Sequence, residues 1–247
     1  MEQGVIRVPL APIRSAPDDR AEMVTQGLFG EPLRWSPADD APGWIEVQLD
    51  TDGYRGFTDP KLVATDPDSI AAFAGEVNML TEPLTRIDWN GRDHHLPAGS
   101  SVPVGILPPQ GNGYTGPAEA AAAFLGAPYL WGGKSVLGMD CSGLTQLASA
   151  LCGEALPRDA SDQWRSLQQA CIAYDDLRHG DLVFFHKQKP GKVTHVGFAW
   201  QPTGEPMQVL HASGEVRIDA LTAEGIVRDG TLTHRWTGAA HWPVSAG

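Results

Sequence analysis

Three side chains have the types and the chain order that nucleophilic catalysis requires. Cys141 stands between a Gly-rich segment and a run of helical periodicity, within YLWGGKSVLGMDCSG. A helix N-terminus carries a partial positive charge and free N–H groups, which favour a thiolate over a thiol and stabilise an oxyanion. His195 lies in the apolar segment VTHVG, and His211 lies in VLHAS, one predicted strand further on. We therefore predict that Cys141 is a nucleophile, that His195 is its base and that His211 orients His195.

The same three side chains are also compatible with roles outside peptide hydrolysis. A free cysteine is most often a small buried hydrophobe, and a single histidine in an apolar strand is commonly a hydrogen-bonded core residue. A zinc site formed by Cys141, His195 and His211 is an alternative, because thiolate and imidazole are ligands that zinc prefers. A further alternative keeps the nucleophile but transfers the acyl group to an amine instead of water. The sequence leaves these alternatives open.

The segments around these residues predict helices followed by strands. Pro117 and Gly126 bound a predicted helix over Ala118–Leu125, and a second helix begins near Asp140. The predicted strands after them are Asp181–His186, Val193–Trp200, Met207–Ala212 and Val216–Asp219. Helices before an antiparallel meander indicate an α+β domain, which we place at residues 113–247. The Pro/Gly-rich passage Pro108–Gly116 marks its start.

The first part of the chain predicts small β-barrels. The β-type runs are Glu31–Trp35, Trp44–Leu49 and Tyr54–Phe57. Pro, Gly and Asp turn signals separate them, which favours one barrel over residues 1–65. A short helical linker and weaker strand signals predict a second, degenerate barrel or a linker over residues 66–112. Asp93, His94 and His95 have metal-binding side chains, but their setting, NGRDHH, is typical of a polar turn.

Charge and composition exclude several classes of function. The net charge of -12 and the lack of clustered Lys and Arg argue against a nucleic-acid partner. No apolar stretch reaches the roughly 18 to 20 residues that span a bilayer, so we expect a soluble protein without a membrane partner. The N-terminus lacks the features of a secretion signal, which favours the cytoplasm, with a periplasmic or secreted location as the alternative if a signal was removed. Three cysteines fit a reducing compartment, and we interpret Cys152 and Cys171 as packing residues.

Six ordered motifs carry a resemblance to a known family. The segments PYLWGG, MDCSG, LPRDAS, DLVFF, THVG and VLHAS resemble the NlpC-type cell-wall peptidases, a papain-like group of bacterial enzymes, over roughly Ala118–Gly247. The resemblance implies that Cys141, His195 and His211 form the catalytic set, with the Tyr129 hydroxyl beside the nucleophile. It also implies hydrolysis of the bond between γ-D-glutamate and a diamino acid in peptidoglycan stem peptides, without a metal or organic cofactor.

The N-terminal segment looks like a bacterial SH3-like domain of the kind that precedes this peptidase domain. The resemblance implies that free peptidoglycan-derived peptides with an unblocked L-Ala amino terminus are the substrates, and that Asp159 of LPRDAS meets the ammonium group. Where related sequences commonly read PRDS, this chain has Ala160, and Ser161 follows it. The other substrate-binding positions that the resemblance implies are Asp140, Ser142, Ser161, Glu31 and Tyr54. An inert wall-binding protein built on the same folds is the alternative function, and the sequence does not predict the oligomeric state.

Overall fold

We describe the protein from a computed structural model, which covers residues 1–107, 113–187 and 189–242. The described chain forms two compact units. The N-terminal unit contains Met1–Gly113 and also Trp131–Val136, and the C-terminal unit contains Tyr114–Leu130 and Leu137–Gly247. Residues 108–112 of the passage predicted as a domain boundary lie outside the described residues.

A seven-stranded antiparallel sheet forms most of the N-terminal unit. Its strands are β1 (Glu2–Ile6), β2 (Leu10–Arg14), β3 (Met23–Leu28), β4 (Pro32–Pro37), β5 (Ile45–Leu49), β6 (Arg55–Thr58) and β7 (Val63–Ala64), in the order β3-β2-β6-β5-β4-β1-β7. Side chains alternate between the two faces of a strand, so Ile45, Val47 and Leu49 of β5 point inward together. They join a buried apolar cluster with Ile6 and Leu33.

Residues 66–107 form one helix and two small antiparallel pairs of strands. Helix α1 (Pro67–Ala74) is followed by β8 (Val77–Met79), β9 (Leu84–Trp89), β10 (Arg92–Pro97) and β11 (Ser101–Pro103); β9 pairs with β10 and β8 with β11. The turn interpretation of NGRDHH holds for Asn90 and Gly91, whose φ angles are 53° and 73°. It was wrong for His94 and His95, which lie in β10, because a two-residue turn with positive φ suffices to connect the strands.

The segment Trp131–Val136, which includes strand β12 (Lys134–Ser135), packs in the N-terminal unit. The Lys134 ammonium lies 3.2 Å from both carboxylate oxygens of Glu31, and both side chains are buried. The Lys134 N–H donates to the side-chain oxygen of Gln26 at 2.9 Å, and the Trp131 indole N–H donates to Glu22. Backbone and side-chain hydrogen bonds therefore hold this segment.

The C-terminal unit has helices before strands, so the predicted α+β order is confirmed. Its elements are α2 (Pro117–Ala122), β13 (Gly138–Met139), α3 (Cys141–Ala150), α4 (Ala160–Leu167), β14 (Cys171–Ile172), β15 (Leu182–His186), β16 (His195–Trp200), β17 (Gln208–Ser213), β18 (Glu215–Thr222), β19 (Gly225–Arg228) and β20 (Thr231–Ala240). None of the helices in the described part of the chain has the length and apolar content needed to cross a bilayer.

The six long strands of this unit close into a barrel. The sheet runs β14-β20-β15-β16-β17-β18-β19, and β20 also pairs with β19, so β15 to β20 form a closed ring. One face of these strands carries an apolar cluster that includes Val183, Phe185, Ala199 and Val209. Helix α3 contacts β16 and β17, which brings its N-terminus to the strands that hold the two predicted catalytic histidines.

Candidate active site

Cys141 is the first residue of α3 and is almost fully buried, with 5% of its surface exposed. The preceding residue, Asp140, caps the helix by accepting from the Gly143 N–H at 2.7 Å. The backbone N–H groups of Val196 and Ser142 donate toward the Cys141 sulfur. Because Val196 directly follows His195, the start of β16 lies beside the thiol.

Burial opposes the effect that the helix N-terminus is expected to have on the Cys141 thiol. Burial raises the pKa of the Cys141 thiol to about 12, and the charge of Asp140 raises it further. The N–H of Val196 and the charge of Arg158 offset only part of this increase. The thiol is therefore neutral at rest, and a base must remove its proton when it reacts.

His195 and His211 form the central hydrogen bond of the site. Nε2 of His195 lies 2.6 Å from Nδ1 of His211, and both side chains are buried. His195 is the first residue of β16 and His211 lies near the end of β17, so antiparallel pairing brings both to one end of the sheet. This contact leaves Nδ1 of His195 as the ring nitrogen available for the Cys141 proton.

Gly197 makes room for the two histidines. Alternation along β16 places Gly197 on the same face as His195. A Cβ at Gly197 would lie 2.7 Å from the Leu210 carbonyl oxygen and 2.9 Å from the His211 Cβ, which is closer than real side chains approach. The glycine is therefore a steric requirement of the site, although its φ angle is an ordinary one.

Asp219 and Arg217 extend the hydrogen-bonded series, and the sequence prediction missed both. Oδ2 of Asp219 lies 3.0 Å from Nε2 of His211. Arg217 donates to Asp219 from Nε at 3.0 Å and from a terminal nitrogen at 2.9 Å. The alternating pattern of VRID contained the signal, since residues 217 and 219 lie on one face of β18 beside His211. Burial raises the pKa of Asp219, but the hydrogen bonds from His211 and Arg217 outweigh it and hold the pKa below its ordinary value.

A third histidine, His234 on β20, also lies in the site without having been predicted. Its ring stacks on His195 with centroids 4.3 Å apart and an interplanar angle of 23°. Burial lowers the pKa of His195 well below its ordinary value, and the repulsion that its proton would meet from any proton on His211 or His234, and from Lys187, acts in the same direction. Burial and the charge of Lys187 lower the pKa of His234 to about 4. Both rings are therefore neutral near pH 7.

Tyr129 is held close to the nucleophile by its backbone. Its N–H donates to the Gly214 carbonyl at 3.0 Å, and it forms an isolated bridge with Met139, two residues before Cys141. Burial raises the pKa of the half-buried Tyr129 hydroxyl, and the charges of Cys141 and Asp140 add to the increase. Tyr129 is therefore a neutral hydroxyl that can donate a hydrogen bond near the thiol.

Asp140 and Ser142, which flank the nucleophile, contact a buried arginine. Arg158 is 2% exposed and donates to both oxygens of Asp140, at 2.9 Å and 2.7 Å, and to the Ser142 hydroxyl oxygen at 3.0 Å. The sequence prediction did not identify Arg158, although it lies in the LPRDAS motif. These contacts fix the N-terminus of α3, so both flanking residues have a structural partner as well as their predicted role in binding.

The other predicted substrate-binding residues lie in different parts of the chain. Asp159 is half-buried at the N-cap position of α4, and its side chain makes no capping hydrogen bond. Ser161 is exposed in the first turn of that helix. Glu31 is buried in the N-terminal unit with Lys134, and it also accepts from the Leu28 N–H at 2.9 Å. Tyr54 is half-buried in the same unit. Their roles in binding stay predictions.

The arrangement of ring nitrogens does not suit a zinc ion at Cys141, His195 and His211. Both nitrogens of His211 already contact protein groups, Nδ1 with His195 and Nε2 with Asp219. His211 therefore has no lone pair to direct at a metal. Among residues 1–107, 113–187 and 189–242, no group of three or more His, Cys, Asp and Glu side chains is arranged to hold a metal ion.

One of the other two cysteines, Cys171, differs from the sequence prediction. Cys171 is exposed, so its interpretation as a packing residue was wrong, whereas Cys152 is half-buried, which is compatible with packing. Cys171 is the first residue of the two-residue edge strand β14, where its side chain faces solvent. All three cysteines are free thiols.

Both units are similar to known proteins. Residues 126–235 match the NlpC/P60 family, and residues 13–59 match the bacterial dipeptidyl-peptidase Sh3 domain. A γ-D-glutamyl-L-lysine dipeptidyl-peptidase from Bacillus cereus is 36% identical, over 84% of this chain and 73% of that protein. A protein of the same name from Bacillus subtilis is 42% identical over 80 residues, which cover 32% of this chain but only 26% of that protein.

A solved structure confirms the fold that the motifs implied. The crystal structure of an NlpC/P60 family protein from Bacillus cereus has a TM-score of 0.79 with this chain. The similarity covers 98% of this chain and 99% of that one, at 19% sequence identity. At this identity the likeness concerns the fold alone, which is a papain-like domain after an SH3-like domain.

Proposed function

This chain belongs to the NlpC/P60 family of cell-wall peptidases, and we propose that it hydrolyses the bond between γ-D-glutamate and a diamino acid in peptides derived from peptidoglycan. One observation carries the proposal. The buried thiol of Cys141 lies beside the start of β16, where His195 is hydrogen-bonded to His211 at 2.6 Å. The name of the Bacillus cereus relative supports the choice of bond.

The geometry supports acyl transfer through a thioester. Nδ1 of His195 takes the proton of the neutral Cys141 thiol as the sulfur attacks the γ-carbonyl carbon. The first-turn N–H of α3 at Cys141 and the Tyr129 hydroxyl donate to the oxyanion that forms. The carbon–nitrogen bond then breaks, and His195 returns the proton to the amine of the leaving diamino acid. Water next attacks the thioester, giving a proton to His195, and the sulfur leaves and recovers that proton.

Recognition of a free amino terminus is the finer part of the proposal. We assign the L-Ala ammonium group to Asp159, because it is a half-buried carboxylate next to Arg158, whose guanidinium contacts Asp140 and Ser142 on either side of the nucleophile. Glu31 is a weaker choice, since its two oxygens already contact the Lys134 ammonium in a buried ion pair. A carboxylate that meets an ammonium group discriminates strongly against a blocked amine, because acetylation removes the charge.

Cleavage of defined peptides tests both parts. The substrates are L-Ala-γ-D-Glu-diaminopimelate and its lysine analogue, each with a free and an acetylated amino terminus, and mass spectrometry identifies the products. We expect wild-type protein to cleave the free peptides and Cys141→Ala to cleave none, with an unchanged melting temperature. Cys171→Ala is the matched control, because it removes an exposed thiol.

The outcomes separate the alternatives. Equal turnover by Cys141→Ala and wild type would remove the nucleophile assignment, and no turnover by wild type on any peptide would favour an inert wall-binding protein. Equal rates on free and acetylated peptides would remove the role of Asp159 and point to longer wall fragments as substrates. An acyl product joined to an added amine would indicate a transferase.

A further inference from the structure

The hydrogen bonds of His211 determine which nitrogen of each catalytic ring carries a proton. His211 contacts Asp219 through Nε2 at 3.0 Å and His195 through Nδ1 at 2.6 Å. An ionised carboxylate can only accept hydrogen bonds, and a neutral imidazole has one N–H and one lone pair. Nε2 of His211 therefore carries the proton, and its Nδ1 must accept. Nε2 of His195 must then donate, which leaves Nδ1 of His195 unprotonated.

Arg217 keeps Asp219 in the form that this series requires. Its guanidinium donates to Oδ1 of Asp219 at 2.9 Å and 3.0 Å, and its Nε also lies 3.1 Å from Oδ2, the oxygen that faces His211. The ion pair supplies the positive charge for a carboxylate that is 9% exposed, so His211 need not be protonated to neutralise it. A protonated His211 would donate from both nitrogens, place the proton of His195 on Nδ1 and leave no base for the thiol.

We propose that Asp219, held by Arg217, is a positioning residue that fixes the tautomers of His211 and His195, so that the ring nitrogen of His195 left free of His211 is a base. This inference rests on the proposed function only for its effect on turnover. Asp219 does not touch the reacting atoms; it acts through His211. The pattern of protons itself is a property of the protein without substrate.

Asp219→Asn is the informative substitution because the two side chains have nearly the same shape. Arg217 makes its two shorter contacts to Oδ1 and requires an acceptor there, so the amide oxygen takes the place of Oδ1 and the amide NH2 takes the place of Oδ2 beside His211. The NH2 group donates to Nε2 of His211, which reverses the series and puts the proton of His195 on Nδ1. We expect kcat to fall by up to about 10⁴-fold, the loss that the same change causes in a Ser-His-Asp triad, with KM changed less than about threefold.

Asp219→Ala gives a second test with a different expected result. Without a side chain at this position, Nε2 of His211 has no fixed partner and both tautomers are accessible. We therefore expect kcat to lie between wild type and Asp219→Asn. Asp229→Asn is the matched control, because it makes the same change at an exposed position of the same barrel, and its kcat should equal that of wild type. Melting temperatures show which variants are folded.

Long-range ¹H–¹⁵N spectra of protein labelled at histidine report the tautomers directly and need no substrate. We expect Nε2–H forms of His195 and His211 in wild type and Nδ1–H forms in Asp219→Asn. Unchanged tautomers in folded Asp219→Asn would overturn the proposal, even if turnover fell. Equal kcat for Asp219→Asn and wild type would also overturn it. If wild type cleaves no peptide, the proposed function fails while the spectra still decide this inference.

Discussion

The buried ion pair between Arg158 and Asp140 predicts a large loss of stability when it is broken. Arg158 donates to both oxygens of Asp140, at 2.9 Å and 2.7 Å, and their side chains are 1% and 8% exposed. Arg158→Met keeps most of the length of the side chain but leaves the carboxylate of Asp140 buried without its counter-charge. Removing one partner of a buried pair costs about 3–5 kcal/mol, which is roughly a 10²-fold to 5 × 10³-fold change in the unfolding equilibrium.

The measurement is urea denaturation of the full chain, followed by circular dichroism. The double variant with Asp140→Asn separates the pair from other effects: we expect it to be more stable than Arg158→Met alone, because no buried charge is then left unpaired. Arg165→Met is the matched control. Arg165 forms an ion pair with Asp162 on α4, but its side chain is 70% exposed, and pairs of this kind contribute about 0–1 kcal/mol.

Activity gives a second measure of the same substitution. Asp140 caps α3 and precedes the nucleophile, so loss of Arg158 should lower turnover under conditions where the protein is still folded. If Arg158→Met lowered the free energy of unfolding by less than about 1 kcal/mol, as Arg165→Met should, the reasoning would be refuted. The buried and the exposed ion pair would then contribute equally to stability.

Two further predictions concern the histidines. Gly197→Ala should lower both the melting temperature and kcat, because the added Cβ would lie 2.7 Å from the Leu210 carbonyl oxygen. Gly204→Ala, in the same unit, has no atom close to its Cβ and is a control for turnover alone. A normal kcat in Gly197→Ala would contradict the steric argument. The pKa of His234 falls from 6.5 in the unfolded chain to about 4, so the unfolded state binds protons first as pH falls. The stability that the buried, neutral His234 ring contributes is fully present above about pH 6.5 and is lost as the pH falls toward 4. Melting temperatures from pH 7 to 4 should therefore fall more steeply in wild type than in His234→Phe, and equal slopes would count against this assignment.

Much of the C-terminal unit could be predicted because its strands are short apolar runs between turn signals. Strand β15 is one residue shorter than the predicted strand Asp181–His186, because it begins at Leu182. Strand β16 begins at His195, two residues after the start of the predicted strand Val193–Trp200. The predicted helix Ala118–Leu125 ends three residues early, at Ala122. Local periodicity predicts which element forms, but the last turn depends on tertiary contacts that the pattern does not contain.

The partners of the catalytic residues were harder to predict than the residues themselves. Cys141 and His195 stand in segments where a reactive side chain is out of place, which is a local signal. Arg158 and Asp219 are ordinary charged residues in the sequence, and their roles depend on buried contacts with Asp140 and His211. The stacking of His234 on His195 depends on the closure of the barrel by β20, which no local pattern indicates.

The same dependence on burial applies to the pKa of the thiol. A helix N-terminus lowers the pKa of an exposed cysteine, but Cys141 is 5% exposed and burial raises its pKa to about 12. Whether a side chain at the start of a helix faces water cannot be judged from the helix alone. The direction of a pKa shift therefore required the structure.

The path of the chain through Trp131–Val136 limits how this protein can be divided. A fragment that starts at residue 114 would keep Lys134 but lose Glu31, and the complementary fragment would keep Glu31 without Lys134. Each fragment would carry a charge that is buried and paired in the intact chain. The affected loop joins Tyr129 to the helix of Cys141, so kinetic constants of an excised peptidase fragment would describe an altered enzyme rather than a smaller one. Genetic exchange of either half by a single crossover would meet the same difficulty.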